Sequence, residues 1–206
     1  MSVSSTMRKS MRMQMRIIEN CAPTLAGMKS ASLFSYEYGS EDDVKRELRE
    51  INEMLNDRGV TADILAWRDK SVLIYVYRPR MLAAELKCQG VAELLRGYGY
   101  CNENCNESCN ENLLPGHEFC LRHLKKRVQC SECFPHEIGV FLGYPLEDVH
   151  GFIKNEGRNC ESCGMWKVYC NREEKDRIFQ KFRKCKDVYM QVFQRGRELS
   201  LMTVCA

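Results

Sequence analysis

Two prolines and one glycine constrain the stretch FPHEIGVFLGYPLEDVHGFI, residues 134–153, more tightly than any other part of the chain. Pro135 and Pro145 each stand where a helix can begin, because proline lacks the N–H that the first turn leaves unpaired. Gly143 lies between them at the junction. The segment therefore predicts two short helices forming an αα-hairpin over 135–156. It places His136 beside Glu137 in the first turn of the leading helix.

The remainder predicts an α+β fold, a small and mostly antiparallel sheet of about three to four strands covered by helices. Met7, Met11, Met15 and Ile18 recur at helical spacing near the N-terminus, which predicts a first amphipathic helix with residues 1–10 as a frayed start. Pro23 and Gly27 punctuate the segment after this helix. Residues 41–57 open with acids and repeat Val44, Leu48, Ile51 and Leu55, a helix closed near Gly59. Ser32–Tyr38, Ala62–Arg68 and Ser71–Arg78 read as strands, the last two as a hairpin across Asp69 and Lys70. SVLIYVYR is apolar on both faces and is expected in the middle of the sheet. Helices are expected from Pro79, over Val91–Arg96 and over His117–Val128, with a short strand at Met165–Cys170. A final helix carries Ile178, Phe182, Cys185, Tyr189 and Val192 along one stripe, and Lys181, Arg183, Lys184 and Lys186 on a solvated basic face. At 206 residues with 44% apolar and 29% charged side chains, the chain reads as one domain, 1–206, with a Cys/Asn/Glu-rich loop insertion at 101–116.

A net charge of +3 is too small to imply nucleic acid. Gly139, Gly143 and Val149 do match helix-turn-helix spacing. The second helix, however, presents Glu147 and Asp148 where a polyanion would press, and Lys154 alone cannot offset two carboxylates. A DNA-binding regulator is therefore the disfavoured alternative. No apolar run approaches a membrane span, and the N-terminus lacks the continuous apolar segment of a secretory signal, so a cytoplasmic protein is expected.

Thirteen cysteines without such a signal point to reduced thiols rather than a disulfide framework. Cys130-x2-Cys133 and Cys160-x2-Cys163 have the pair spacing of zinc knuckles, and four thiolates would suit zinc or iron. Composition alone yields roughly 0.8 such pairs by chance, so the excess is mild. The repeat CNENCNESCNEN reads as a thiol-rich loop.

The FPHEIG–LGYPLEDV block, followed by MWKVYC and FRKC and preceded by CAPTLAG and SVLIYVYRPRML, resembles a bacterial family, DUF3793. The resemblance spans most of the chain. Its matching positions are Cys21, Pro23, Arg78, Phe134, Pro135, His136, Glu137, Gly143, Tyr144, Pro145, Glu147, Asp148, Gly151, Trp166, Lys167, Tyr169 and Cys185. The cysteine repeat and Cys130 depart from the pattern. The family occurs mostly in anaerobes, at times beside flavodoxin or ferrous-iron transport genes. The resemblance implies an accessory protein of iron or redox physiology, its partner another protein of that physiology. Its working face would be the hairpin with Tyr144, Glu147, Asp148, Trp166 and Tyr169, and His136, Glu137 and Arg78 would be its polar groups. The alternative is an enzyme using His136 and Glu137 on a small substrate.

Overall fold

Apolar periodicity and turn chemistry settle the secondary structure of the first half of the chain to within a residue or two at most boundaries. The computed structural model describes residues 5–100, 116–130 and 134–205, with side chains from residue 11 onward. The cysteine repeat lies outside the described residues, as does the start of the N-terminal segment. Contacts gather the chain into two compact units, residues 1–79 with 180–206 and residues 80–179.

The first unit contains α1 (Ser5–Leu25), β1 (Ala31–Glu37), α2 (Glu41–Leu55), β2 (Thr61–Trp67) and β3 (Ser71–Tyr77). The strands form an antiparallel sheet in the order β1-β3-β2, so SVLIYVYR is central as its two apolar faces require. Val72, Ile74 and Val76 of β3 join Met13, Ile17 and Leu25 of α1 and the α2 stripe in one core. Burying each such side chain contributes about 1.5–3 kcal/mol. The α1 face differs from the expected one: Met11 is 57% exposed, whereas Met13, Ile17, Ile18 and Cys21 are buried. Methionines at 7, 11, 13 and 15 support two helical phases, and packing on the sheet selects the second. Pro23 sits within the last turn rather than ending the helix before it, because only the carbonyl one turn back loses a partner there.

Strand β2 carries a bulge. Ile64 pairs with Ile74 and Ala66 with Leu73, which leaves Leu65 as the extra residue. A left-handed Gly59 closes the turn that leads into this strand.

The second unit holds α3 (Pro79–Leu86), α4 (Gln89–Arg96), α5 (His117–Cys130), α6 (Ile138–Phe141), α7 (Leu146–Lys154) and a two-stranded antiparallel ribbon, β4 (Ser162–Cys163) with β5 (Lys167–Val168). α8 (Arg172–Gln194) gives its residues through Phe179 to this unit and the remainder to the first, where α9 (Leu199–Met202) also belongs. In the first unit Phe182 is buried, and Tyr189, Val192 and Phe193 pack against the core cluster. Among the described residues, no helix is long and apolar enough to cross a membrane.

The αα-hairpin forms, with a leading helix of little more than one turn. Its N–H groups at Ile138, Gly139 and Val140 reach back three residues, to Pro135, His136 and Glu137. Gly143 has φ +65°, and the Tyr144 N–H bonds Gly139 O while the Gly143 N–H bonds Val140 O. This is a Schellman closure, which favours glycine at the left-handed position. A side chain on Gly139 would meet Val149 Cγ2 at 2.8 Å, so the helices cross closely there.

Candidate functional site

The hairpin and the ribbon enclose a cavity of about 250 Å³ in the second unit. Its wall is mostly aromatic, from Phe134, Tyr144, Phe152 and Trp166, and Ile138 and Val149 add aliphatic surface. Tyr144 stacks on Trp166 with centroids 5.0 Å apart, and Trp166 meets Phe179 edge-on at 4.5 Å. Pairs of this kind contribute about 0.5–1.5 kcal/mol beyond their burial.

Asp148 fastens this wall. It lies in the first turn of α7, 2% exposed, and accepts 2.8 Å hydrogen bonds from Trp166 Nε1 and from the Tyr169 backbone N–H. A buried indole N–H needs a partner, and the carboxylate supplies one while binding α7 to the strand segment. Asp148 and Trp166 are therefore buried groups, although the sequence reading placed them on the surface. Gly151, one turn further along α7, lets the Tyr169 ring lie against the helix backbone. A Cβ there would fall 2.4 Å from Tyr169 Cγ.

His136 and Glu137 part company. His136 is exposed at the cavity, with its ring 5.0 Å from that of Phe152 in an edge-on arrangement. Glu137 is fully buried and does not line the cavity. Its Oε1 accepts from Tyr100 Oη at 3.1 Å and from Arg127 Nε at 2.5 Å. Burial, followed by the charge of Glu137, pushes the Tyr100 hydroxyl far above its ordinary range. Glu137 Oε2 has no partner among the described residues. Both residues stand in the turn ahead of α6 rather than in the first turn of that helix, and there their side chains point apart.

Arg78 belongs to the first unit and is fully buried. Its Nε donates to Thr24 O at 2.6 Å, and its Nη2 to Leu25 O at 2.7 Å and Val204 O at 2.8 Å. The guanidinium thus satisfies carbonyls at the end of α1 and ties down the C-terminal segment. Burial lowers its pKa, against the smaller opposing effects of Tyr189 and Cys205.

Glu147 is exposed and pairs with the buried Lys175 of α8 at 2.9 Å. Burial opposes ionisation of Glu147, yet the Lys175 hydrogen bond, a backbone N–H and the lysine's charge hold its carboxyl below the usual range.

The cysteine pairs are placed only in part. Cys130 ends α5 and is exposed, Cys160 is half-buried ahead of β4, and Cys163 is exposed on it. Cys133 lies outside the described residues. Among the described residues no three His, Cys, Asp or Glu side chains are grouped to hold a metal ion, and the described cysteines stand outside any disulfide. Burial pushes the thiol of Cys21 up to about 12 and that of Cys120 to about 11, whereas Cys88, Cys130, Cys163 and Cys205 are exposed. Iodoacetamide at pH 8, followed by peptide mass mapping, should label these four and leave Cys21 and Cys120 unmodified until denaturant is added, since the thiolate is the nucleophile. Labelling of Cys21 in the native protein would contradict the packing of α1.

Among the cavity residues that the sequence reading did not name as site residues are Phe152 and Lys167. Phe152 follows Asp148 by four positions and so shares its helix face. Lys167 adjoins Trp166, and its Nζ donates to Gly157 O at 2.5 Å.

No curated protein and no solved structure matches the chain. Residues 17–203 match the family described as Protein of unknown function (DUF3793), and by that match over most of its length the chain belongs to this family.

Proposed function

We propose that this chain works by binding rather than by turnover, as an accessory protein of iron or redox physiology whose working site is the aromatic cavity of the second unit. The observation that carries the reading is the separation of the two candidate acid–base groups. General acid–base chemistry needs groups within hydrogen-bond reach of one reacting atom. His136 borders the cavity, Glu137 is turned into a buried pairing with Arg127 and Tyr100, and both oxygens of Asp148 are engaged. An apolar pocket with few polar groups is the usual form of a small-ligand site. The physiological setting is supported by the gene company of the family.

Trp166 lines the cavity and Trp67 is the chain's other tryptophan, so a Trp67→Phe protein reports on the site alone. Fragments that change Trp166 emission saturably should be recovered chemically unchanged after prolonged incubation. His136→Ala should keep the native melting temperature and weaken those fragments. A fragment consumed by the parent protein and spared by His136→Ala would establish the enzyme reading instead. A library in which nothing perturbs Trp166 would remove the cavity from consideration.

A further inference from the structure

The one lysine on the cavity wall is half-buried and has no carboxylate partner among the described residues. Lys167 Nζ donates to Gly157 O at 2.5 Å and lies 5.8 Å from the centre of the Phe152 ring. An ammonium carries three donors, so the carbonyl leaves part of its capacity unspent. The Phe152 ring adds a cation–π contact, and the remaining donors can meet an anion. The same Phe152 ring is also met edge-on by His136, whose ring makes no hydrogen bond among the described residues. Two nitrogen-bearing side chains therefore border one phenyl ring at the cavity.

The carboxylate on the wall points the chemistry the same way. Asp148 has both oxygens occupied, by Trp166 Nε1 and by the Tyr169 N–H, so it offers no free acceptor to a cationic ligand. The faces of Tyr144 and Trp166 are stacked on each other, which removes one side of each from any cage around a quaternary ammonium. The rest of the wall is apolar and ring-sized: at about 250 Å³ the cavity falls just short of the roughly 300 Å³ at which drug-sized sites begin.

Building on the binding reading above, we infer that the cavity takes a small free carboxylate with one aromatic ring, the ring against Phe134, Phe152 and Trp166 and the carboxylate on Lys167 beside His136. Charge-assisted contacts of this kind are about twice as strong as neutral ones. The ring supplies the apolar burial, and the head group supplies the discrimination.

The test uses three molecules of one shape, phenylacetate, 2-phenylethanol and 2-phenylethylamine, titrated into Trp67→Phe protein while Trp166 emission is followed. Phenylacetate should bind at one site with a Kd of about 1 mM or below, about tenfold tighter than the alcohol, with the amine weaker still. Lys167→Gln, checked for native fold by circular dichroism, should bind acid and alcohol alike. If the alcohol or the amine binds as tightly as the acid, or if Lys167→Gln keeps the preference, the carboxylate assignment falls while the binding reading stands. If none of the three binds, the binding reading falls with it. Tighter binding of acetyl-alanyl-phenylalanine than of phenylacetate would overturn the assignment to a free molecule, because the carboxylate would then be a chain terminus.

Discussion

Arg78→Met should destabilise the first unit by about 2–4 kcal/mol while leaving ligand binding at the cavity intact in whatever fraction of the protein stays folded. The side chain donates to three backbone carbonyls, at Thr24, Leu25 and Val204. Thr24 O and Leu25 O keep other donors, the N–H groups of Gly27 and Val204, so the loss is smaller than three full hydrogen bonds to a charged donor. Methionine fills similar volume, which separates the polar effect from a cavity effect. Arg78→Lys should fare little better, because an ammonium is a point charge and cannot fork across two carbonyls at once. Urea unfolding followed by far-ultraviolet circular dichroism reads the difference. A variant within about 0.5 kcal/mol of the parent, the scatter of ordinary surface substitutions, would return Arg78 to the pool of functional side chains.

Asp148→Ala should cost about 2–5 kcal/mol in the second unit, since the buried Trp166 indole loses its acceptor at roughly 1–3 kcal/mol and the part-buried Tyr169 N–H loses its own at somewhat less. Asp148→Asn is the sharper probe. Its amide keeps one acceptor oxygen, but the nitrogen faces a second donor where the carboxylate presented an oxygen, so either the Trp166 indole or the Tyr169 N–H is left unpaired. The loss should appear as an earlier unfolding transition in Trp166 fluorescence, with an altered emission maximum in the native state. Wild-type stability and emission for Asp148→Asn would mean that the carboxylate does not organise the wall. The cavity would then need another explanation for the placement of its indole.

The parts legible in the sequence were those with a local cause. SVLIYVYR announced a central strand because both its faces are apolar, and Pro135, Gly143 and Pro145 announced the hairpin because each satisfies a backbone requirement at a helix end. The α1 face was ambiguous for an equally local reason, since its methionines occupy two phases and only the sheet decides between them. The cavity was half legible. His136, Tyr144, Asp148 and Trp166 stood out by residue type, but burial of Asp148 arises from a pairing across 18 positions with Trp166, which no periodicity reveals. Glu137 and Arg78 looked functional for the property that makes them structural: a charged group inside a protein must be held by several partners. Lys167 has the opposite signature, and only the absence of a carboxylate among its described neighbours singles it out.

The bulge at Leu65 works as a parity mark within β2. Ala62 and Ile64 stand opposite Val76 and Ile74, and Trp67 stands opposite Val72, all on the core side of the sheet. Side chains before position 65 address the core through even numbers, and Trp67 beyond it does so through an odd one. Substituting Leu65 changes one contact, and removing it would leave Ala66 opposite Leu73 and Trp67 opposite Val72 as they are; pairing Leu65 in register instead would exchange inside for outside at every residue from Ala66 to the end of the strand. Trp67 reaches the core because Leu65 is left out of the count.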